Sequence, residues 1–336
     1  MATPPGPQPP EPQPVVAEIV RSGFVEGHHY GSVVALEATG EMAWRLGDVR
    51  RPVLPRSSLK PLQALGMVRC GLELPAELLA LACSSHAGEG FHLDGVREIL
   101  AGAGLDESAL QTPPDLPLEQ SVREAYLRAG GERSSLVMNC SGKHAAMLAT
   151  CVLRQWPTDD YLRPDHPLQQ ALASTVAELT GEPPELAVDG CGAPALSTSL
   201  TGLARAFGLL ARGVRTNGAA DPGAAAVADA IREHPAHVSG TGRDELRLLR
   251  AVPGLIAKLG AEACYVAALP DGRSWALKID DGGDRARVVA MAAVLLRDGV
   301  GDLPGVDAAS LERLAVAELR GGGRVVGDVR AVLPAG

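Results

Sequence analysis

Ser57 and Lys60 fall in the run Arg56-Ser57-Ser58-Leu59-Lys60, a Ser-x-x-Lys spacing. A serine hydroxyl is a poor nucleophile until a base takes its proton. A lysine serves as that base only where burial or neighbouring positive charge lowers its pKa. The serines precede apolar residues at Leu59, Leu62, Leu65 and Val68, which predicts a helix starting here. Residues three apart share a helix face, so hydroxyl and amine can meet, and the helix N-terminus adds amide donors for a developing oxyanion. The same spacing also suits an N-cap serine followed by a solvated lysine, so it needs support from elsewhere in the chain.

Two further groups of residues can extend this chemistry. Ser84-Ser85-His86 follows a predicted helix over Ala76 to Cys83, and Lys258-Leu259-Gly260 opens a C-terminal set of strands. The second lies where serine β-lactamases carry Lys-Thr-Gly beside their nucleophile. Together Ser85 and Lys258 supply a second serine and lysine that can sit across from the first pair. Asn139-Cys140-Ser141-Gly142-Lys143-His144 and Asp189-Gly190-Cys191-Gly192 each sit at an element boundary. Two thiolates on loops can hold Zn²⁺, with a third ligand from His144, Asp189 or Lys143 and an open position for water. Of these, His144 is the more ordinary ligand, because a lysine amine must first lose a proton.

The elements that must position these residues are read from periodicity. Two β-rich runs between Ser32 and Leu46 flank Thr39-Gly40 and predict a hairpin. From about Pro75 to Pro235 the pattern is mainly helical, with stretches at Leu118 to Ala129, Ala145 to Trp156, Pro167 to Leu179 and Ala219 to Glu233 and a short strand at Leu186 to Val188. Strands are predicted at Leu255 to Lys258, Ala263 to Leu269 and Trp275 to Ile279, then helices at Arg285 to Leu296 and Ala308 to Leu319, and a closing strand at Arg324 to Val329. Strands near both ends with helices between them imply an α+β fold. Residues 1–14, mostly proline, are expected to form a disordered tail. Residues 15–336 are expected to form one catalytic unit, with sheet elements in 15–56 and 253–336 and a mainly helical region over 57–252.

Composition narrows the function. A 46% hydrophobic content suits a globular protein, and 3% aromatic residues leave the core to Ala, Leu and Val. A net charge of -9 argues against a nucleic acid or anionic membrane partner. No apolar run approaches the roughly 20 residues needed to cross a bilayer, and Met1 to Val15 lacks the pattern of a secretory signal. A cytoplasmic location is expected, where the six scattered cysteines stay reduced or bind metal.

In chain order, the blocks Arg56 to Gln63, Ser85 to Glu89, Asn139 to His144, Asp189 to Gly192, Ser239 to Arg243, Lys258 to Gly260 and Leu277 to Gly282 resemble the asparaginase II family. The resemblance runs from about Val15 to Gly327-Asp328-Val329-Arg330. Seven ordered blocks are far more specific than any one of them. Ala87 stands where the resemblance leads one to expect a second serine. The resemblance implies a fold like serine β-lactamases and glutaminases, with a mainly antiparallel sheet covered by helices and a helical insertion. It also implies a homodimer that hydrolyses L-asparagine to L-aspartate and ammonia. It assigns Ser57 as nucleophile with Lys60 beside it, and Ser85 with Lys258 as the second pair. It assigns Cys140, Lys143 and Cys191 as zinc ligands in place of His144, with Asp189 in support.

The substrate's charged ends need partners, and Arg56, Glu89, Arg243 and Asp281 are candidates because they flank the blocks. The rival functions are a glutaminase, a β-lactamase or peptidase on the same scaffold, and a non-catalytic amino-acid sensor. Ammonia release from the two amides separates the first, and turnover of a chromogenic β-lactam the second.

Overall fold

The chain begins with a run of Val and Ile that pairs as soon as it can. In the computed structural model, which describes residues 13–334, β1 (Val15–Arg21) turns at Ser22-Gly23 into the long β2 (Phe24–Leu36). The predicted hairpin follows, joining β2 to β3 (Met42–Leu46). Residues 1–12 of the predicted tail lie outside the described residues. Gln13 and Pro14 do not behave as a tail: Gln13 Oε1 accepts from Ser32 Oγ at 2.8 Å, and Pro14 O accepts from Gly31 N at 3.1 Å.

The helical region supplies α1 (Lys60–Arg69), α2 (Ala76–Ala82), α3 (Gly90–Gly102), α4 (Gln120–Arg128), α5 (Ser141–Arg154) and α6 (Pro167–Thr180). The small hairpin β4 (Leu186–Val188) and β5 (Pro194–Leu196) comes next. It is followed by α7 (Leu200–Arg212), α8 (Pro222–Glu233), α9 (Pro235–Val238) and α10 (Asp244–Ala251). Local sequence explains the sharper ends. Ser199 caps α7 by accepting from Gly202 N, Asp221 caps α8 with Pro222 in its first turn, and Gly181 and Gly213 end α6 and α7 in the left-handed conformation.

The chain then returns to the sheet as the meander β6 (Ile256–Leu259), β7 (Cys264–Ala268) and β8 (Ser274–Ile279). After α11 (Asp284–Arg297) and α12 (Ala308–Leu314) it ends in β9 (Val316–Gly321) and β10 (Arg324–Ala331). The helix expected over Ala308 to Leu319 is corrected here. It stops at Leu314, and Val316 to Gly321 pairs antiparallel with β10, because sheet partners override local helical pattern.

All eight strands of the main sheet are antiparallel, in the order β6-β7-β8-β2-β1-β10-β9, with β3 on β2. Every residue of β6 and β7 is buried, so the sheet is covered on both faces there, with α7 and α11 among the covering helices. The fold is α+β, as the sequence implies. Among the described residues, no helix is long and apolar enough to cross a membrane. All six cysteines are free.

Candidate active site

The site forms where the start of α1 meets the ends of α2, α5 and β6. Pro55 precedes a single 3-10 turn, Arg56 to Leu59, and Pro61 sits in the first turn of α1. Arg56 lies in the left-handed region at φ 55°, a conformation that costs a non-glycine residue about 1–3 kcal/mol. Its guanidinium is held by Asp189, with Nε 2.7 Å from Oδ1. That contact ties the residue before Ser57 to the β4–β5 loop, and Ser57 itself is half-buried.

Lys60 is 1% exposed, and its ammonium is fully engaged. It donates to Ser84 O at 2.5 Å, Ser85 Oγ at 3.1 Å and Cys140 Sγ at 3.1 Å. Ser57 Oγ is not among these partners. The structure therefore joins Lys60 to the second serine, Ser85, and to the first cysteine.

Lys258 is fully buried on β6 and does not bond Ser85. It donates to both oxygens of Glu245, at 3.1 and 3.0 Å. Its carbonyl accepts from Ser58 Oγ at 3.0 Å, which fastens β6 to the turn that carries Ser57. Gly260 makes this approach possible: a Cβ there would lie 2.1 Å from Pro55 O and 2.8 Å from Ser58 Oγ. Burial, with Lys60 and Arg243 nearby, pushes Lys258 down to about 8 against the pull of Glu245.

Cys140 and Cys191 form a small apolar cluster of their own with Met138 and Ala193, apart from the main core. Cys140 occupies the N-cap position of α5 without a capping hydrogen bond, and Lys143, in the first turn, reaches Cys191 Sγ at 3.4 Å. Gly142 lets α5 come this close to α2, since a Cβ would meet Leu81 O at 2.6 Å. Cys140, then the Lys143 ammonium, pull Cys191 far down, while Cys191 and burial push Cys140 up. Burial works against the Lys143 charge, but Cys191, Cys140 and Asp189 outweigh it and raise its pKa.

The two sulfurs are donors that zinc accepts, and Lys143 beside Cys191 would add a third only as the free amine. Binding it there must release the Lys143 proton. Among the described residues, no three His, Cys, Asp or Glu side chains gather as a metal site. His144 is turned to Tyr161, whose hydroxyl lies 2.7 Å from Nδ1, and its Nε2 is buried without a hydrogen bond.

The remaining candidates are spread out. Glu89 accepts from Thr241 N at 2.8 Å and from Thr241 Oγ1, holding the Ser239–Thr241 loop. Arg243 pairs with Glu119 at 3.8 Å beside a cavity of about 330 Å³ that Leu259 also lines. Asp281 is bound to His29 Nδ1 at 2.6 Å and to Gly283 N, and no hydrogen bond links it to the Lys60 cluster. Sequence reasoning missed Glu245. Its only signal is an acidic pair, Asp244-Glu245, opening an amphipathic segment, a pattern shared by many exposed helix starts.

Similar proteins were found at the level of fold and family. The structure resembles that of Mglu in its native form at 14% identity and a TM-score of 0.44, covering 80% of this chain and 64% of that one. A β-lactamase from Mycobacterium bovis shares 14% identity at a TM-score of 0.41, covering 84% and 94%. EstCE1, a hydrolase with promiscuous acyltransferase activity, shares 14% at 0.40, covering 79% and 93%. Among curated proteins, no sequence match was found. A family profile described as L-asparaginase II matches residues 17–331, from β1 to the last residue of β10. That span takes in the serine turn, all three buried lysines and both cysteine loops, and the chain belongs to the L-asparaginase II family of amidohydrolases.

Proposed function

We propose that the protein hydrolyses L-asparagine to L-aspartate and ammonia, with Ser57 as nucleophile and Lys60 as its base. The observation that carries this reading is the burial of Lys60, Lys143 and Lys258, with Lys60 directly after the serine-bearing turn and Lys258 on the strand fastened to it. Removing an ammonium from water costs several kcal/mol. A chain bears that cost three times in one place where the amines do chemistry.

Lys60 enters this step as the free amine: Ser57 Oγ attacks the side-chain amide carbon as its proton passes to Lys60 Nζ. The tetrahedral adduct then expels ammonia, which takes that proton, and leaves an aspartyl ester on Ser57. Water attacks the ester, giving one proton to Lys60 for return to Ser57, and L-aspartate departs. Ser85, 3.1 Å from Lys60 Nζ, keeps the amine oriented through both halves. Cys140, Lys143 and Cys191 would hold zinc, which supplies Lewis acidity or a fixed anchor for one end of the substrate. The Arg56–Asp189 pair joins the residue before Ser57 to the loop that carries Cys191, and its two charges are the partners this reading gives to the substrate's α-carboxylate and α-amino group. The resemblance supports a homodimer acting in the cytoplasm.

The test is ammonia release from L-asparagine and from L-glutamine by the wild type and the Ser57→Ala variant. The proposal expects faster release from L-asparagine, lost in the variant. Preference for L-glutamine, whose side chain is one methylene longer, would reassign the substrate. An inert wild type would point to the amino-acid sensor.

A further inference from the structure

Glu245 lies outside every sequence block that pointed to the site, yet it is the buried carboxylate nearest the chemistry. It sits in the first turn of α10 and, like Lys258, is 0% exposed. Besides its two contacts with Lys258 Nζ, Oε1 accepts from Leu259 N at 2.6 Å. One side chain thus grips both the amine of Lys258 and the backbone of β6, one residue before Gly260 abuts the serine turn.

The groups facing Lys258 come from several elements: Lys60 from α1, Cys83 at the end of α2, Arg243 just before α10, and Glu245, while Tyr265 from β7 lies near Glu245. Burial holds the Cys83 thiol at about 12 and the Tyr265 hydroxyl well above its usual range, so both are neutral. Lys60 and Arg243 oppose a further positive charge. Glu245 is the one group in this set that favours it.

We propose that Glu245 is the positioning residue of Lys258: its two-oxygen grip keeps the amine charged and aimed, as a fixed positive charge on the strand that is fastened to the Ser57 turn. This rests on the proposed serine-lysine hydrolysis. An ammonium has three N–H donors, and Glu245 takes two. The third is left for an acceptor in the reaction.

The experiment compares wild type, Glu245→Gln and Glu245→Asp by the pH dependence of ammonia release and of Tm. Turnover that needs a charged Lys258 falls in the wild type as pH rises through about 8. Without the carboxylate Lys258 loses its proton at lower pH. The fall in Glu245→Gln therefore moves down by at least about one pH unit, roughly tenfold in rate at a fixed alkaline pH, and activity returns on acidification. Glu245→Asp, which keeps the charge, retains the wild-type limb.

Between about pH 6 and pH 8 the unfolded Glu245→Gln chain binds more protons than the folded one, so its Tm climbs with pH relative to wild type. A purely structural carboxylate would lower Tm equally at every pH. An unshifted rate profile with a constant Tm offset would overturn the proposal. If the wild type releases ammonia from neither amide, the hydrolase reading fails while the Tm comparison still decides the role of Glu245.

Discussion

Replacing Gly260 by alanine tests whether the contact between β6 and the serine turn sets catalysis. The new Cβ would stand 2.1 Å from Pro55 O, 2.8 Å from Ser58 Oγ and 3.2 Å from Ser58 N. Two of these neighbours are backbone, so no side chain can swing away to absorb the clash. Opening the first contact to 3.0 Å, the limit real Cβ atoms keep, requires a shift of about 0.9 Å between β6 and the turn that carries Ser57. A displacement of that size costs about 10²-fold in turnover when it falls on reacting groups. Overpacking costs about 1–3 kcal/mol of stability, which for a chain of this size lowers Tm by roughly 1–4 °C. Ammonia release and thermal unfolding measured on the same preparation separate the two effects. Gly102→Ala is the control: it lies in α3 with nothing within 4 Å of its Cβ, and should stabilise by about 0.5–1 kcal/mol at unchanged turnover. Wild-type turnover and Tm in Gly260→Ala would refute the argument that this close approach positions Ser57.

Other perturbations follow from the same geometry. Lys60→Met should fold, since its stem is buried among apolar residues, but lose about 10²–10⁴-fold in kcat by steady-state assay. Cys191→Ser should fail to retain zinc through dialysis while the wild type keeps about one per chain, read by metal analysis. Asp221→Ala removes the cap of α8 and the 2.8 Å bond to Arg69, and should cost about 1–2 kcal/mol at unchanged kcat. Burial raises the Asp221 carboxyl, but its bonds to Arg69 outweigh this and hold it below its ordinary value. The stability it contributes is present at neutral pH and lost on acidification, so the Tm gap between wild type and variant should close below about pH 4.

Periodicity made most of the scaffold legible. The Thr39-Gly40 hairpin, the β6–β8 meander and the long helices all carry strong local signals, and they occur where expected. The segment after Leu314 misled because Val316, Ala317 and Leu319 continue an apolar spacing that fits either state, and only pairing with β10 decides it. The site was legible as residue types but not as partners. Ser-x-x-Lys suggested that Lys60 serves Ser57, whereas its hydrogen bonds go to Ser84, Ser85 and Cys140. Ser85 was likewise paired with Lys258 by residue type, whereas Glu245, thirteen residues from Lys258 in sequence, takes that amine instead. Tertiary partners of this kind leave no mark in local spacing, so the buried carboxylate could not be told from an exposed helix-start acid.

The central claim is that Ser57 carries the acyl group. Mass spectrometry of enzyme acid-quenched during turnover of L-asparagine tests it most directly. The account predicts an aspartyl adduct on the peptide containing Ser57, absent from Ser57→Ala. An adduct on the peptide containing Ser85, or undiminished turnover by Ser57→Ala, would contradict it.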